Sequence, residues 1–144
     1  MNKIEQLIEK LCPNGVKFVP LGKLCNISTG EQLNKTLMFN TGRYPVLNGG
    51  VSPSGRYDRY NTGANTIAIS QGGASAGYVN FIREKFWAGA HCFIINNVQD
   101  KLLNKFIYYV LKANQYVFMN AKQGAGIPGL NRKELFKFEG SDID

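Results

Sequence analysis

The sequence predicts a mixed α+β domain, and three observations lead to that prediction. Short segments rich in β-branched and aromatic residues alternate with turn signals, which is typical of short strands. Residues 101–119 place their apolar side chains at helical spacing. The chain also has 16 glycines, which favours many turns over a helical bundle. We therefore expect a single domain with a twisted sheet of short strands, an N-terminal helix and a long helix near residues 101–119.

Length and composition indicate one folded unit. A chain of 144 residues with 44% hydrophobic residues can bury a core of its own. We expect the domain to span residues 1–138 and residues 139–144 to form a polar tail. The N-terminus is charged throughout, no segment is suited to spanning a membrane, and the three cysteines lack zinc-site spacing. These features predict a soluble, cytoplasmic protein in a reducing setting.

The first third of the chain predicts a helix and then irregular structure. Ile4, Leu7, Ile8 and Leu11 recur at helical spacing over residues 2–11, and the segment 13–15 ends that helix. Residues 16–27 are expected to be extended, with a short helical turn at 21–24. Residues 28–43 are polar and predict a surface excursion, with Leu37 and Phe39 as apolar anchors.

The remainder predicts strands followed by a helix. Strands are expected at 44–47, 66–70, 78–82 and 92–95, with the middle two forming a hairpin around the loop 71–77. The last of these is entirely apolar and is expected to be buried. Asp100 or Asn104 is a candidate cap for the long helix, Asn131 for a short one, and a final strand is expected at 136–138.

The charge balance favours a polyanionic partner. The formal net charge is +7 and the sequence pI is about 9.4, and nucleic acid is the leading candidate for such a chain. Six basic residues and no acidic residue lie between Lys101 and Lys133. Acidic residues gather near both ends instead.

Catalytic arrangements find little support. The loop 71–77 lies between two strands and lacks the lysine and the following helix that a phosphate-binding loop needs. His91 and Cys92 are adjacent on a strand, so their side chains point to opposite faces. Between Lys10 and Ile82 the only carboxylates are Glu31 and Asp58, which are too few for paired-acid or two-metal chemistry. A hydrolase or transferase using His91, Ser70 or a cysteine remains the least favoured hypothesis.

Polar and basic residues interleaved with aromatics suit nucleic acid better. Arginine can hold guanine by two hydrogen bonds, glutamine and asparagine can do so for adenine, and lysines and glycine amides suit phosphates. Single-strand binding uses the same residue types, so composition leaves that alternative open. The candidate DNA-binding residues are Lys35, Arg43, Asn48, Ser54, Arg56, Tyr57, Ser70, Gln71, Gly72, Tyr78, Lys122, Gln123, Gly124 and Arg132. No catalytic residue, metal ligand or cofactor site is predicted.

Four stretches, taken together over residues 11–138, resemble the specificity subunits of type I restriction-modification systems. The resemblance rests on their order and spacing rather than on any one motif. The stretches are CPNGVKFVPLGKLCNISTG, GRYPVLNGGVSPSGRYD, NTIAISQGGASAGYVNFIREKFWAGAHCFII, and LLNKFIYYVLKANQ followed by QGAGIPGLNRKELFKF.

The resemblance implies a target recognition domain that recognises duplex DNA without catalysis. In that family two such domains each recognise half of a split sequence, and long helices separate them and dock the methylation subunits. S-adenosylmethionine and ATP belong to the methylation and motor subunits. The binding positions that the resemblance supports are the loops after Tyr44, at Gln71–Gly77 and at Lys122–Gly126.

The family's proline-rich step and long spacer helix do not follow Phe138, where the chain ends in EGSDID. A natural half-subunit, a truncated product and an excised fragment all fit this departure. A homodimer, or pairing with a second half-subunit, would rebuild a complete reader. The alternative function is a protein-interaction module that binds or inhibits the methylation subunit without recognising DNA.

Overall fold

The computed structural model describes Gln6, Leu21, residues 25–96 and residues 101–120. Residues 25–96 and 101–120 form seven strands, one short 3₁₀ helix and two α-helices. The elements in chain order are β1 (Asn26–Thr29), the 3₁₀ helix (Lys35–Leu37), β2 (Tyr44–Leu47), β3 (Gly55–Tyr57), β4 (Thr66–Ser70), β5 (Val79–Ile82), β6 (Trp87–Ala88), β7 (Cys92–Asn96), α1 (Lys101–Ala113) and α2 (Gln115–Asn120). The predicted mixed α+β class is confirmed, and none of the described helices combines the length and hydropathy needed to cross a bilayer.

A four-stranded antiparallel sheet is the centre of the fold. Its strand order is β1-β7-β4-β5, and β7 is paired on both sides. Strand β7 is buried from Cys92 to Ile95, because both faces of the sheet are covered. The prediction of a buried apolar strand here is confirmed, as is the β4–β5 hairpin.

The structure has a second, three-stranded sheet, whereas the sequence predicted a single sheet. Its order is β3-β2-β6, with β2 antiparallel to β3 and parallel to β6. Strand β2 was predicted, whereas β3 and β6 were not. Strands of three and two residues are too short to show the alternation that identifies a strand in sequence.

The two sheets and the helices form three layers with two apolar cores. On one face of the four-stranded sheet, residues such as Ile69 and Phe93 pack against Leu111 of α1 and Phe118 of α2. On the other face, Ala68 and Ile94 pack with residues of the three-stranded sheet. Side chains alternate across a strand, so successive residues of β4 and β7 contribute to different cores.

The helical range predicted near residues 101–119 is confirmed, and the structure divides it at Asn114 into α1 and α2. The Asn114 backbone N–H is shared between the carbonyls of Val110 and Leu111. Its buried side chain donates to the Val110 carbonyl at 2.8 Å, which competes with the helical pattern. Asn104 is not a cap but lies within α1, where its amide donates to the Asn65 carbonyl.

The segment 30–43 crosses the three-stranded sheet. Phe39 donates its backbone N–H to the Arg56 carbonyl, and Glu31 donates to Ala88. The predicted anchors Leu37 and Phe39 are 51% and 42% exposed, so that prediction is wrong. Leu33 is the buried apolar residue of the segment.

Several predicted elements fall largely or wholly outside the described residues. Of the predicted helix over 2–11, only Gln6 is described, and it is helical. Leu21 is buried and lies in a 3₁₀ turn. The short helix after Asn131, the strand at 136–138 and the tail at 139–144 lie outside the described residues.

Replacing Gly77 with alanine is expected to destabilise the fold by more than about 1 kcal/mol. A Cβ at this position would lie 2.6 Å from the Met119 backbone nitrogen, and the backbone has φ +95°. Gly72→Ala is the matched control in the same loop, because nothing lies within 4 Å of its Cβ position. Thermal unfolding of the two variants measures the difference, and equal melting temperatures would contradict the packing described here.

The thiols of Cys25 and Cys92 are expected to resist alkylation. Burial raises the pKa of Cys92 to about 12 and that of Cys25 to about 11. At pH 8.5 the native chain should therefore react with iodoacetamide roughly 70-fold more slowly than the unfolded chain at Cys25, and several hundred-fold more slowly at Cys92. Since the unfolded thiols lose their protons near pH 9, stability should fall as pH rises from about 9 toward 12. Site-resolved mass spectrometry measures the labelling, and equal rates in both states would refute the prediction.

Candidate nucleic-acid interface

Three loops meet at one end of the two sheets, and we call this surface the loop end (residues 48–54, 71–78 and 89–91). The loops follow β2, β4 and β6, and the last one leads into β7. Gln71 donates its backbone N–H to the His91 carbonyl at 2.9 Å. His91 in turn donates its backbone N–H to Asn48 Oδ1 at 3.4 Å. These two bonds, one between backbone groups and one to the Asn48 side chain, hold one residue from each loop side by side.

Further bonds join the loops beneath the surface. Ser70 is 5% exposed, and its hydroxyl donates to the Gly49 carbonyl and, at 3.3 Å, to the Gly72 carbonyl. Asn80 donates from its side chain to the Val51 carbonyl at 3.2 Å. The first loop is therefore attached to the β4–β5 hairpin at two points.

Glycines allow this close approach. Gly49 has φ +101°, and a Cβ there would lie 3.1 Å from the His91 carbonyl oxygen. Gly73, at the tip of the hairpin, has φ +73° with open space around it. The left-handed backbone that glycine tolerates is needed at both turns. The sequence places these turns, but not their contact with each other.

The loop end presents polar side chains without formal charge. Its three loops contain no lysine, arginine, aspartate or glutamate. Gln71 is partly exposed and His91 is exposed, while the bonds just described engage their backbones. Amide and imidazole groups of this kind can donate and accept hydrogen bonds at base edges. His91 was not among the candidate DNA-binding residues. It directly precedes β7, whose first residue Cys92 pairs with Ser70 at the end of β4. Knowledge of this pairing would have placed His91 beside the loop that follows β4.

Two of the predicted contact residues are occupied within the protein. Arg56 on β3 donates from Nε to the Gly42 carbonyl at 2.6 Å and from a terminal nitrogen to the Arg43 carbonyl at 2.9 Å. Ser54 donates from both its backbone and its hydroxyl to Val46. Together with buried Ser70, these side chains fix the loops rather than extend from them.

A second surface lies at the opposite end of β2, and we call it the aromatic end (Arg43, Tyr44, Arg59, Tyr60 and Lys85). The rings of Tyr44 and Tyr60 meet edge to face with centroids 5.0 Å apart. Lys85 Nζ lies 4.8 Å from the centre of the Tyr60 ring, within the range of a cation–π contact. Arg43, Arg59 and Lys85 are exposed, which places three cations beside two aromatic rings.

The remaining predicted residues are distributed around these surfaces. Tyr57 is half-buried, and its ring meets that of Trp87 edge to face at 5.6 Å. Lys35 is exposed on the 3₁₀ helix. Tyr78 lies at the base of the hairpin beneath Lys112, whose Nζ is 3.8 Å from the ring centre. Lys122, Gln123, Gly124 and Arg132 lie outside the described residues.

The described residues contain no group of three or more histidine, cysteine or acidic side chains that could hold a metal ion. His91 is exposed whereas Cys92 is buried. The two side chains therefore lie in different environments, as the strand alternation predicted. The acids of the described part are Glu31, Asp58 and Glu84.

Comparisons with known proteins agree on one family. Residues 13–139 match the model of the type I restriction modification DNA specificity domain. A putative type I specificity subunit from Mycoplasma genitalium is 35% identical over 120 residues, covering 83% of this chain and 31% of that protein. One from Mycoplasma pneumoniae is 33% identical over 116 residues, covering 80% of this chain and 31% of that protein. The chain thus spans about a third of the length of these relatives.

Solved structures show the same fold. The type I restriction-modification S subunit from M. genitalium superposes with a TM-score of 0.77 and 33% identity, covering 88% of this chain and 34% of that one. The HsdS subunit of Thermoanaerobacter tengcongensis shares the fold at a TM-score of 0.59 and 14% identity, covering 97% of this chain and 39% of that one. Because the family model matches residues 13–139 of the 144 residues, this chain belongs to the type I restriction modification DNA specificity domain family.

Proposed function

We propose that this chain is a DNA recognition domain that binds duplex DNA sequence-specifically and catalyses no reaction itself. The observation that carries the proposal is the loop end, where three loops from both sheets present uncharged hydrogen-bonding side chains on a rigid base. The description of the family as a DNA specificity domain supports it. The net charge of +7 suits a polyanionic partner.

Base recognition is assigned to the loop end. Each base pair presents its own pattern of hydrogen-bond donors and acceptors in the major groove. A side-chain amide can form two hydrogen bonds at once with an adenine there. Gln71 carries such an amide, and His91 adds an imidazole. Asn48 Oδ1 accepts from the His91 backbone N–H, so the proposed base contact of Asn48 is made by its amide nitrogen. Gly72 and Gly73 leave the hairpin tip narrow, so that the backbone can approach a base pair or a phosphate closely.

Phosphate contacts are assigned to the exposed cations. Arg43, Arg59 and Lys85 of the aromatic end, together with Lys35, can neutralise phosphates and so fix the orientation of the duplex. Lys122, Gln123, Gly124 and Arg132 remain proposed contacts. Ser54, Arg56 and Ser70 are instead proposed as supports of the loops, since their hydrogen-bonding groups are already occupied.

The rest of a restriction-modification system would supply the chemistry. We propose that methylation and motor subunits bind near this domain, and that S-adenosylmethionine and ATP are held by those subunits. Recognition of a split target needs a second such domain. A longer subunit, or a second copy of this chain, would provide it.

Gln71→Ala is expected to relax sequence preference at one base position. Loss of one paired amide contact costs about 1–3 kcal/mol of discrimination. Selection from a random duplex pool, followed by titration of the selected duplex, measures it. Asn40→Ala removes an exposed amide from the segment over the three-stranded sheet and should leave the selected sequence unchanged. An identical selected sequence for Gln71→Ala would contradict the assignment of base recognition to this residue.

Arg43→Ala and Arg56→Ala remove the same group from two different environments. Arg43→Ala should reduce the salt slope of duplex binding by about 0.9 and leave the melting temperature unchanged, because this side chain is exposed. Arg56→Ala should lower the melting temperature, because it leaves the Gly42 and Arg43 carbonyls without their donors. Fluorescence anisotropy at several salt concentrations and thermal unfolding measure the two effects. Reversed results would show that Arg56, rather than Arg43, contacts the phosphates.

A further inference from the structure

At Val79, the β5 edge of the four-stranded sheet is bonded to side chains from the two helices. Strand β5 is the last strand of this sheet, so alternate residues have backbone groups that face away from β4. Val79 is such a residue. Its N–H donates to Gln115 Oε1 at 2.8 Å, and its carbonyl accepts from Lys112 Nζ at 2.9 Å.

The two helical side chains are also bonded to each other. Lys112 Nζ donates to Gln115 Oε1 at 2.9 Å, which completes a closed ring of three hydrogen bonds with the Val79 peptide groups. The Lys112 ammonium also lies 3.8 Å from the centre of the Tyr78 ring. An ammonium group has three donors, and two of them are therefore used within the protein. One donor is left for a partner outside the protein.

A second contact seats the hairpin on the helices. Gly77, two residues before Val79, lies so close to α2 that a Cβ would meet the backbone of Phe118 and Met119 at 2.6 Å. Ala76 is fully buried beside it. The hairpin is thus held at its base by the Lys112–Gln115 pair and by α2, while its tip at Gly72 and Gly73 is open.

We propose that Lys112 and Gln115 are positioning residues that set the orientation of the β4–β5 hairpin. Through that orientation they determine selectivity among DNA sequences rather than affinity for DNA in general. This inference rests on the proposed function. Paired base contacts require aligned donors and acceptors, whereas attraction to phosphates is long-ranged and tolerant of small displacements. Loss of the bonds that Lys112 and Gln115 make to the hairpin should therefore weaken the paired base contacts and leave the attraction to phosphates unchanged.

The test compares Lys112→Met with Lys105→Met in the full 144-residue chain. Lys105 is exposed on the same helix, and its Nζ lies 5.6 Å from the centre of the Phe81 ring on β5 without a hydrogen bond to a peptide group of the hairpin. Both variants therefore lose one positive charge, and only Lys112→Met loses the bond to the Val79 carbonyl. Each is titrated against the duplex that the unaltered chain selects from a random pool, and against a shuffled duplex. Lys112→Met should lower the ratio of the two affinities by at least about fivefold, the lower end of what one base contact is worth, and Lys105→Met should leave that ratio unchanged. Equal losses on both duplexes with a salt slope reduced by about one would identify Lys112 as a phosphate contact and overturn the proposal.

Gln115 provides an independent arm in case Lys112→Met fails to fold. Gln115→Glu keeps the acceptor oxygen for both donors and should preserve the selectivity ratio, whereas Gln115→Met removes the acceptor and should reduce it. Loss of selectivity in both Gln115 variants, or in neither, would overturn the proposal.

Hydrogen exchange gives a result that does not depend on DNA. The amides of Ala76, Gly77 and Tyr78 are bonded within the hairpin, and they should exchange faster in Lys112→Met than in Lys105→Met. If the unaltered chain selects no duplex but this difference is found, the proposed function fails while the positioning of the hairpin stands. If exchange is the same in both variants, the positioning role is refuted whatever the chain binds.

Discussion

Burial of β7 on both faces is the constraint on which the rest of the structure depends. Its residues from Cys92 to Ile95 are almost completely inaccessible, and β1 and β4 occupy both of its edges. A strand of this kind requires a cover on each face, which here is the helical pair on one side and the three-stranded sheet on the other. The two apolar cores, and the three layers, follow from that requirement. Its antiparallel pairing with β4 also places the start of β7 beside the end of β4, with Cys92 opposite Ser70, so the loop before β7 meets the hairpin after β4.

The loop end inherits its rigidity from this arrangement. Its loops connect strands of both sheets and lie within hydrogen-bonding distance of one another. The Ser70 hydroxyl bonds to the Gly49 carbonyl, and the Gln71 N–H bonds to the His91 carbonyl. The side chains of Gln71 and His91 take no part in these bonds. A surface that recognises bases has to hold its polar groups in place before binding. In the proposed recognition surface that order would come from bonds among the loops, and at the base of the hairpin from the bonds of Lys112 and Gln115 to Val79.

The sequence predicted those elements whose signal is local. Strands β2, β4, β5 and β7 and the hairpin all show in the pattern of apolar residues and turns. Strands β3 and β6 did not, since a strand of two or three residues is defined by its partner, and the partner of β6 lies far away in the chain. The helix break at Asn114 likewise depends on a side chain that competes with the backbone. Leu37 and Phe39 were expected to be anchors because they are apolar, but the buried apolar residue of that segment is Leu33.

The same distinction applies to the candidate site. Residue type and charge indicate which side chains could contact DNA, but whether a side chain is free depends on residues distant in sequence. Arg43 and Arg56 are alike in chemistry and both follow a turn, yet only Arg56 has carbonyls within reach of its guanidinium. Lys112 belongs to a strongly basic stretch, and its ammonium is nevertheless bound to a strand edge 33 residues earlier in the chain. Under the proposed function, positive charge in this domain has two separate uses. Exposed cations would attract the duplex, whereas the internally bonded Lys112 would order the hairpin that distinguishes one sequence from another.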